Sequence, residues 1–330
     1  CMQEAPTSMS PLLLPNFEDA AMKTIARGTM HSTQELIIPQ QSRIRNFRRI
    51  PGSGRLFRCA APDQLGNLIH HPELKQNILE KAQSWPEPER RVLFEATLIV
   101  DLRMDHEVDQ GLHQDFAKNA PGGPMQIVRT LDHLTKPTSK RRLLYRPNSD
   151  EGLTKSDMSR YASEAWIPRE LWNQADPEEK NALLLEELNS RGLHGLYEMV
   201  LETKKFIRNV LQAITLHLEQ NKNGKVVFHC SIGKDRTGVV AMLCESLLGM
   251  RDEDIIEDFT KSECIQEIAV AKFTEFFHGR IDASAFASST PESMRLTIDY
   301  VRETYGSIDR YFDAIGFDQS WQRRFVQVAS

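Results

Sequence analysis

The sequence has few cysteines, and their spacing gives them no shared structural role. The chain of 330 residues contains five cysteines that are dispersed, odd in number and without any C-x-x-C pair: Cys1, Cys59, Cys230, Cys244 and Cys264. Such a set argues against both a disulfide framework and a zinc site. We therefore expect no bound metal and a reducing, cytoplasmic environment.

Long apolar runs are also missing. The longest uninterrupted ones, such as Val239 to Leu243, fall far short of the roughly 20 residues needed to cross a bilayer. The three leucines between Pro11 and Pro15 are too few for the apolar part of a secretory signal, which needs about 7–15 residues. The sequence predicts a soluble chain with no transmembrane segment and no export signal.

Positive charge is not in excess. Lys and Arg together number 41 and Asp and Glu together 46, which gives a formal net charge of −5. No overall basic field is present that could hold a nucleic-acid backbone or an anionic membrane. We expect no nucleic-acid partner, and any polyanion would have to be bound by a local site.

The patterns that are present predict one large α/β domain. Apolar and β-branched runs predict strands at residues 54–58, 97–103, 125–128 and 225–229. Apolar residues at spacings of three and four predict a helix over Leu196–Ile214, and an apolar helix over Val239–Leu248 should stop at Gly249. We expect a mostly parallel central sheet flanked by helices, with an all-helical C-terminal part. Residues 1–42 are predicted to be a loosely packed extension and 43–330 the folded domain.

A long polar insertion is predicted at residues 135–193. It exceeds the roughly 12–15 residues beyond which a loop usually has a functional explanation. It contains a predicted helix at Pro177–Leu188 and the basic run Lys140-Arg141-Arg142. This run could meet anionic head groups, although a charge run is more often a solvated face.

The chemistry is concentrated where the strand at 225–229 meets the apolar helix. The connecting segment reads Cys230-Ser231-Ile232-Gly233-Lys234-Asp235-Arg236. A strand, a glycine-bearing loop and a helix aim backbone N–H groups and the positive end of the helix dipole at one point, where an anion binds. The residues from Ser231 to Arg236 are therefore the predicted phosphate-binding loop, and Arg236 can grip two phosphate oxygens at once.

Cys230 is the predicted nucleophile. The helix N-terminus and Arg236 both favour its thiolate, which can attack phosphorus in line while the loop holds the remaining oxygens. The product of that step is a phosphocysteine, which water then hydrolyses. This chemistry is phosphomonoester hydrolysis that needs no metal or other cofactor.

The segment His229-Cys230-x-x-Gly233-Lys234-Asp235-Arg236-Thr237-Gly238 resembles the H-C-x5-R-[ST] signature of cysteine-based protein tyrosine phosphatases. It is most similar to the atypical family that includes mycobacterial protein tyrosine phosphatase B, whose loop reads H-C-x-x-G-K-D-R-T-G. Further similarity is found at residues 46–48, 54–58 and 101–103. The resemblance implies a cysteine-phosphatase fold with a helical lid, for which residues 135–193 are the candidate. It also implies that Thr237 assists the leaving thiolate and that His229 holds the loop.

The resemblance also bears on substrates and on the general acid. It implies phosphorylated proteins, above all phosphotyrosine proteins, as partners. Lys234 and Asp235 add charge to the loop, which indicates substrates with more than one phosphate, such as phosphoinositide head groups. Phosphoserine and phosphothreonine proteins are further candidates. The proton donor is Asp132, which follows a predicted strand, or Asp235 inside the loop; Asp132 is slightly favoured.

Three residue sets outside the loop have two interpretations each. Cys59 could protect Cys230 as a disulfide under oxidation, but packing on its strand is the simpler explanation. Cys244 lies on the apolar helix and is expected in the core. Asp101 and Arg103 could brace the loop from a neighbouring strand or form a structural ion pair.

Two other functions compete with phosphatase activity. Rhodanese-like sulfur transferases also use a cysteine in an anion-binding loop, but they give no reason for Lys234, Asp235, Arg236 and Thr237 together. A phospho-ligand binding module without turnover is the other alternative. The presence of both Cys230 and Arg236 argues against it.

Overall fold

The computed structural model describes residues 45–62, 87–108, 110–120, 122–135, 142–148 and 152–330, so the predicted extension at 1–42 lies outside the described residues. The first half of the chain supplies five strands: β1 (Arg48–Arg49), β2 (Leu56–Ala60), β3 (Ala96–Asp101), β4 (Gln126–Val128) and β5 (Leu143–Tyr145). Helices α1 (Glu87–Glu95), α2 (Gln110–Lys118) and α3 (Asp132–Thr135) and a 3-10 turn at Asp105–Glu107 lie among them.

The second half is helical except for one strand. Five helices lie between β5 and β6 (Lys225–Cys230): α4 (Lys155–Trp166), α5 (Arg169–Gln174), α6 (Pro177–Arg191), α7 (Leu193–Leu201) and the long α8 (Lys204–Gln220). After β6 come α9 (Asp235–Leu247), α10 (Asp252–Thr260), a 3-10 turn at Lys261–Ile265, α11 (Gln266–Phe277), α12 (Ala283–Ala287), α13 (Pro291–Tyr305), α14 (Ile308–Ala314) and α15 (Gln319–Ala329). This half confirms the predicted helical C-terminal part. None of the helices in the described part of the chain combines the length and apolar character that a bilayer span requires.

The strands form one sheet in the order β1-β2-β6-β3-β5-β4. Only β1 pairs antiparallel, with β2, and the other neighbouring strands run parallel. The mostly parallel α/β sheet is therefore confirmed. Because β6 lies between β2 and β3, the segments that follow these strands meet at one edge of the sheet, which is the usual place for a ligand site.

Each face of the sheet is covered by apolar side chains. Val226 and Phe228 of β6 join the larger core under the later helices, while Val227 joins a smaller core that includes Phe116 of α2. Alternate residues of a strand point to opposite faces, so a parallel strand covered on both faces is apolar throughout. This explains why the runs at 97–103 and 225–229 were readable as strands.

The range 135–193 differs from the predicted insertion. It contains β5, a buried strand that pairs with β3 and β4 inside the sheet. Its helices α4 and α6 contribute Met158, Ala162 and Leu188 to the same core as Phe228. The strand β5 is therefore part of the sheet and not of an insertion, and one face of the helices packs into the main core. A lid role for these helices stays a prediction.

One predicted helix is divided in two. The apolar spacing from Leu196 to Ile214 continues across the boundary between α7 and α8, but the backbone of Thr203 leaves the helical region at φ −78° and ψ 61°. Periodicity persists because both helices bury one face in the same core. The predicted stop at Gly249 is confirmed, since this residue follows the end of α9 with φ +74°.

Candidate active site

The loop after β6 is a tight turn that ends in a helix. β6 ends at Cys230 and α9 begins at Asp235, and both Cys230 and Lys234 are buried. Gly233 has φ +73°, and a Cβ there would come within 2.4 Å of the Cys59 carbonyl oxygen. Only glycine fits this conformation and this approach to β2. The loop thus lies against the N-terminus of α9, whose dipole favours an anion.

Arg236 is held by Glu107, a residue that the sequence analysis did not single out. Arg236 Nη2 donates to Glu107 Oε1 at 2.6 Å, Nη1 donates to Oε2, and Nη1 also donates to the Leu102 carbonyl at 3.2 Å. Ser231 Oγ donates to the same Glu107 Oε1 at 3.1 Å, and the Met104 N–H donates to Oε2 at 2.8 Å. This carboxylate therefore links Arg236 to the start of the loop.

The ion pair shifts the titration of both partners. Burial by itself would raise the pKa of Glu107, but the charge and hydrogen bonds of Arg236 outweigh it, with help from Met104, and lower the pKa to about 2. Burial alone would lower the pKa of Arg236, yet Glu107 and Cys230 raise it overall. The guanidinium is therefore charged and fixed beside Cys230.

Asp235 is placed in the loop as expected, with two donors on one oxygen. Lys234 Nζ donates to Asp235 Oδ1 at 2.8 Å, and the hydroxyl of Tyr197 donates to it at 3.1 Å. Both Cys230 and Asp235 lie within electrostatic range of Tyr197 and Arg236. The Asp235 side chain is 14% exposed and can exchange protons with solvent or a ligand.

The side chain of Lys234 is buried in the protein. It is fully buried, donates to the Phe286 carbonyl at 2.8 Å as well as to Asp235, and lies over the rings of Tyr197 and Phe273. The expectation that this ammonium adds charge for a second phosphate is therefore not met by its position. Lys234 instead links the loop to α12.

Asp132 lies in a surface pocket to which the loop contributes no residue. It is exposed on α3 and lines a surface pocket together with Thr130 and with Lys205, Arg208 and Gln212 of α8. None of the residues 230–236 lines that pocket. The sequence-based preference for Asp132 over Asp235 therefore has no support from the geometry.

His229, Asp101 and Arg103 form a buried layer under Cys230. His229 Nδ1 lies 3.2 Å from the Cys230 carbonyl oxygen and 3.9 Å from Asp101 Oδ1. Asp101 is paired with Arg103, whose Nη2 and Nε donate to its oxygens at 2.7 and 2.9 Å. Asp101 is the last residue of β3 and lies opposite His229 of β6. The Asp101–Arg103 ion pair is therefore structural and also adjacent to the loop.

The structure also shows where the side chains of Thr237, Cys59 and Cys244 lie. The Thr237 hydroxyl is buried and has no hydrogen-bond partner among the described residues. Cys59 is opposite His229 in register and packs in the smaller core, whereas Cys230 packs in the larger one. Since neighbouring strand residues face opposite ways, packing rather than a disulfide with Cys230 explains Cys59. Cys244 is fully buried, which confirms its place in the core.

Two lysines from the covering helices are directed at this region. Lys272 of α11 lies within electrostatic range of Glu107 and Cys230, and its pKa is lowered by burial. Lys155 of α4 also interacts with Glu107, and its Nζ lies 5.4 Å from the centre of the Phe276 ring.

In the basic run at 140–142, Arg142 donates to three backbone carbonyls, those of Leu93, Ala96 and Gly123. Lys140 and Arg141 lie outside the described residues. Arg142 is therefore a structural residue rather than part of a head-group surface.

Comparison with known proteins agrees with this site. The sequence model of the tyrosine phosphatase family matches residues 91–327, well over half of the 330-residue chain. The matched part contains Glu107, Cys230 and Arg236. No curated protein matches the chain, and the closer similarity to the mycobacterial enzyme stays a prediction. The chain belongs to the tyrosine phosphatase family and is a phosphatase.

Proposed function

We propose that this phosphatase hydrolyses phosphomonoesters through a phosphocysteine on Cys230. The observation that carries the proposal is the pairing of Arg236 with Glu107 beside a cysteine at the N-terminus of α9. This arrangement provides a fixed, charged clamp for phosphate oxygens and a setting that favours thiolate. Donors held in place by such hydrogen bonds are the kind of group that stabilises charge in a transition state.

In the first step, the Cys230 sulfur attacks phosphorus, an S–P bond forms and the bond from phosphorus to the leaving oxygen breaks. Asp235 donates a proton to that oxygen. In the second step, water attacks the phosphocysteine, Asp235 takes a proton from the water and the S–P bond breaks. The unpartnered hydroxyl of Thr237 can donate to the departing thiolate. Neither step requires a metal or another cofactor.

We assign the general acid to Asp235 rather than Asp132. Its carboxylate lies in the loop itself, whereas Asp132 is in a pocket to which the loop contributes no residue. Tyr197 and Lys234 both donate to Oδ1, which leaves Oδ2 as the oxygen available to carry a proton. A proton donor must reach the leaving oxygen directly or through one water, and the position of Asp235 in the loop supports it as that donor.

Phosphotyrosine proteins are the proposed substrates, with phosphoserine and phosphothreonine proteins as secondary ones. Phosphoinositides with two or more phosphates are a further proposed class, supported by the positions of Lys272 and Lys155 near Glu107. Methionine at either lysine should raise KM for a bisphosphorylated lipid head group and leave KM for a monophosphate within about twofold. Lys222→Met, in an exposed turn, is the matched control.

The test is phosphate release from a panel of phosphopeptides and phosphoinositides, with EDTA present and with Cys230→Ser beside the wild type. We expect turnover that survives EDTA and is lost in Cys230→Ser. Retained turnover in Cys230→Ser would refute the phosphocysteine. Phosphate binding without release by the wild type would instead favour a binding module.

A further inference from the structure

The carbonyl of Gly233, in the middle of the Cys230 loop, accepts two side-chain hydrogen bonds from outside the loop. Asn46 Nδ2 donates to it at 2.7 Å and Arg58 Nη2 at 2.9 Å. Both donors come from the start of the described chain, on and beside β1 and β2. They lie before residue 91, where the family match begins.

Holding this carbonyl fixes the direction of an N–H group. In a trans peptide the C=O and the following N–H point in opposite directions. Two donors on the Gly233 oxygen therefore hold it toward β1 and β2 and turn the N–H of Lys234 the other way. Residue 233 is glycine, whose backbone no Cβ restricts, so two donors on its carbonyl favour one orientation of this peptide.

The two donors are themselves held by one carboxylate. Arg58 Nη1 lies 3.3 Å from Asp258 Oδ2, and Arg48 Nε donates to Asp258 Oδ1 at 2.9 Å. Arg48 Nη1 in turn donates to Asn46 Oδ1, and Asn46 Nδ2 also donates to Ser262 Oγ at 3.2 Å. Asp258 thus reaches the Gly233 carbonyl by two routes, one through Arg58 and one through Arg48 and Asn46.

Burial and backbone conformation show that this cluster is a built feature. Arg58, Asp258 and Ser262 are at most 1% exposed and Asn46 is 7% exposed. Asn46 has φ +54°, a left-handed conformation that few residues adopt and that asparagine tolerates. Burying two guanidinium groups against one carboxylate has a desolvation cost that a core of apolar residues would avoid.

The charge of the cluster also acts on the loop. Arg58 lies within electrostatic range of Cys230. Burial and the neighbouring Asp258 raise the pKa of Glu245, the second carboxyl in this cluster. The buried guanidinium of Arg58 is a positive charge behind the loop, and positive charge favours a thiolate and a bound phosphoryl group.

We propose that Asn46 and Arg58, anchored by Asp258, are positioning residues that hold the Gly233–Lys234 peptide with its N–H toward the phosphoryl group. This proposal rests on the proposed function of the loop. It makes the segment 45–62 part of the catalytic apparatus, although neither side chain touches the substrate. Its effect should appear in anion binding and in catalysis, not only in stability.

The test uses variants that keep the backbone preference of Asn46. Asn46→Asp retains shape and the left-handed conformation but has no donor, and Asn46→Gly retains only the conformation. Arg58→Lys, which cannot bridge both acceptors at once, is the independent variant. The matched control is Arg55→Lys, since Arg55 also donates to backbone carbonyls, those of Gly224 and Val328, at the other end of β2.

Two readouts are measured below the melting temperature of every variant: kcat/KM with a phosphotyrosine peptide, and the affinity for orthovanadate by calorimetry. Loss of a single oxyanion donor typically costs roughly 100- to 1,000-fold in kcat, and a weakened one should cost at least tenfold. We expect both Asn46 variants and Arg58→Lys to lose at least tenfold in both readouts and Arg55→Lys to change less than about twofold.

The outcomes separate this proposal from the one it rests on. Unchanged kcat/KM and orthovanadate affinity in folded Asn46 variants would overturn the positioning role while leaving the phosphocysteine mechanism intact. If the wild type releases no phosphate but binds orthovanadate, the proposed function fails, and weaker binding by the Asn46 variants would still support the positioning role. A wild type that does neither refutes both.

Discussion

Replacing Glu107 by glutamine should lower the free energy of unfolding by about 3 kcal/mol at pH 7. The pKa of Glu107 falls from the ordinary 4.5 to about 2 in the folded protein, because the pairing with Arg236 outweighs the effect of burial. A pKa difference of one corresponds to about 1.4 kcal/mol, so the fall of the Glu107 pKa from 4.5 to about 2 corresponds to about 3.4 kcal/mol of stability. Breaking one side of a fully buried pair commonly costs about 3–5 kcal/mol, and this pair is partly buried, with side chains 13% and 16% exposed, so a value at the lower end of that range is expected.

The sign of the pH dependence follows from the depressed pKa. The ionised Glu107 carboxylate contributes its full stabilisation above pH 4.5, its pKa in the unfolded chain. This stabilisation is lost as the pH falls through about 2, its pKa in the folded protein. At pH 3 the contribution should have fallen to roughly 1.4 kcal/mol. The difference between wild type and Glu107→Gln should therefore narrow on acidification.

The assay is urea unfolding of both proteins between pH 7 and pH 3, with Glu303→Gln, an exposed carboxylate of α13, as the control. Activity should also fall at least tenfold in Glu107→Gln, since Arg236 loses the partner that fixes its fork. A difference in unfolding free energy that is absent at pH 7, or that stays constant down to pH 3, would refute the assigned role of the ion pair.

Three further outcomes are expected. Asp235→Asn should remove the alkaline limb of the kcat pH profile and Asp132→Asn should leave it unchanged; the reverse pattern would return the general acid to Asp132. Gly233→Ala should abolish phosphate release and lower the melting temperature, because its Cβ would come within 2.4 Å of the Cys59 carbonyl and its φ is +73°. Glu245 has a pKa raised to about 9 by burial and by Asp258, so wild-type stability should fall as the pH rises from 5 to 9, whereas Glu245→Gln should show a flatter profile in urea unfolding.

The nucleophile and its loop could be predicted because they are contiguous. Cys230, Gly233 and Arg236 stand within seven residues of one another, between a strand and a helix that are both strongly apolar. Local pattern is therefore sufficient to place the sulfur, the turn and the guanidinium together. The parallel sheet was predictable for the same reason, since buried strands are apolar along their whole length.

Glu107, Asn46 and Arg58 could not be found in this way. Glu107 reaches Arg236 only because β3 lies beside β6, and that order is a property of the whole sheet. A charged residue shortly after the strand end at Asp101 was the available signal, but many such residues follow strands. Asn46 and Arg58 are separated from Gly233 by 187 and 175 positions. Pairings at this distance need the tertiary structure.

The sequence did not reveal the burial of Lys234, the surroundings of Asp132 or the pairing of β5, and all three depend on tertiary structure. The burial of Lys234 depends on Phe286, which belongs to a helix far along the chain. Asp132 follows β4, and β5 separates that edge strand from β3. Because β5 has only three residues and stands next to the basic run at 140–142, its apolar character was hidden. With β5 unrecognised, the distance from Asp132 to the loop could not be judged.

The most direct test of the central claim is to look for the phosphocysteine itself. The wild type and Asp235→Asn are mixed with a phosphotyrosine peptide, quenched in acid within milliseconds, digested and analysed by mass spectrometry. We predict a phosphoryl group on the peptide that contains Cys230 in both proteins, and none in Cys230→Ser. Turnover by the wild type with no phosphoryl group on Cys230 at any quench time, or with the group on another residue, would contradict the account.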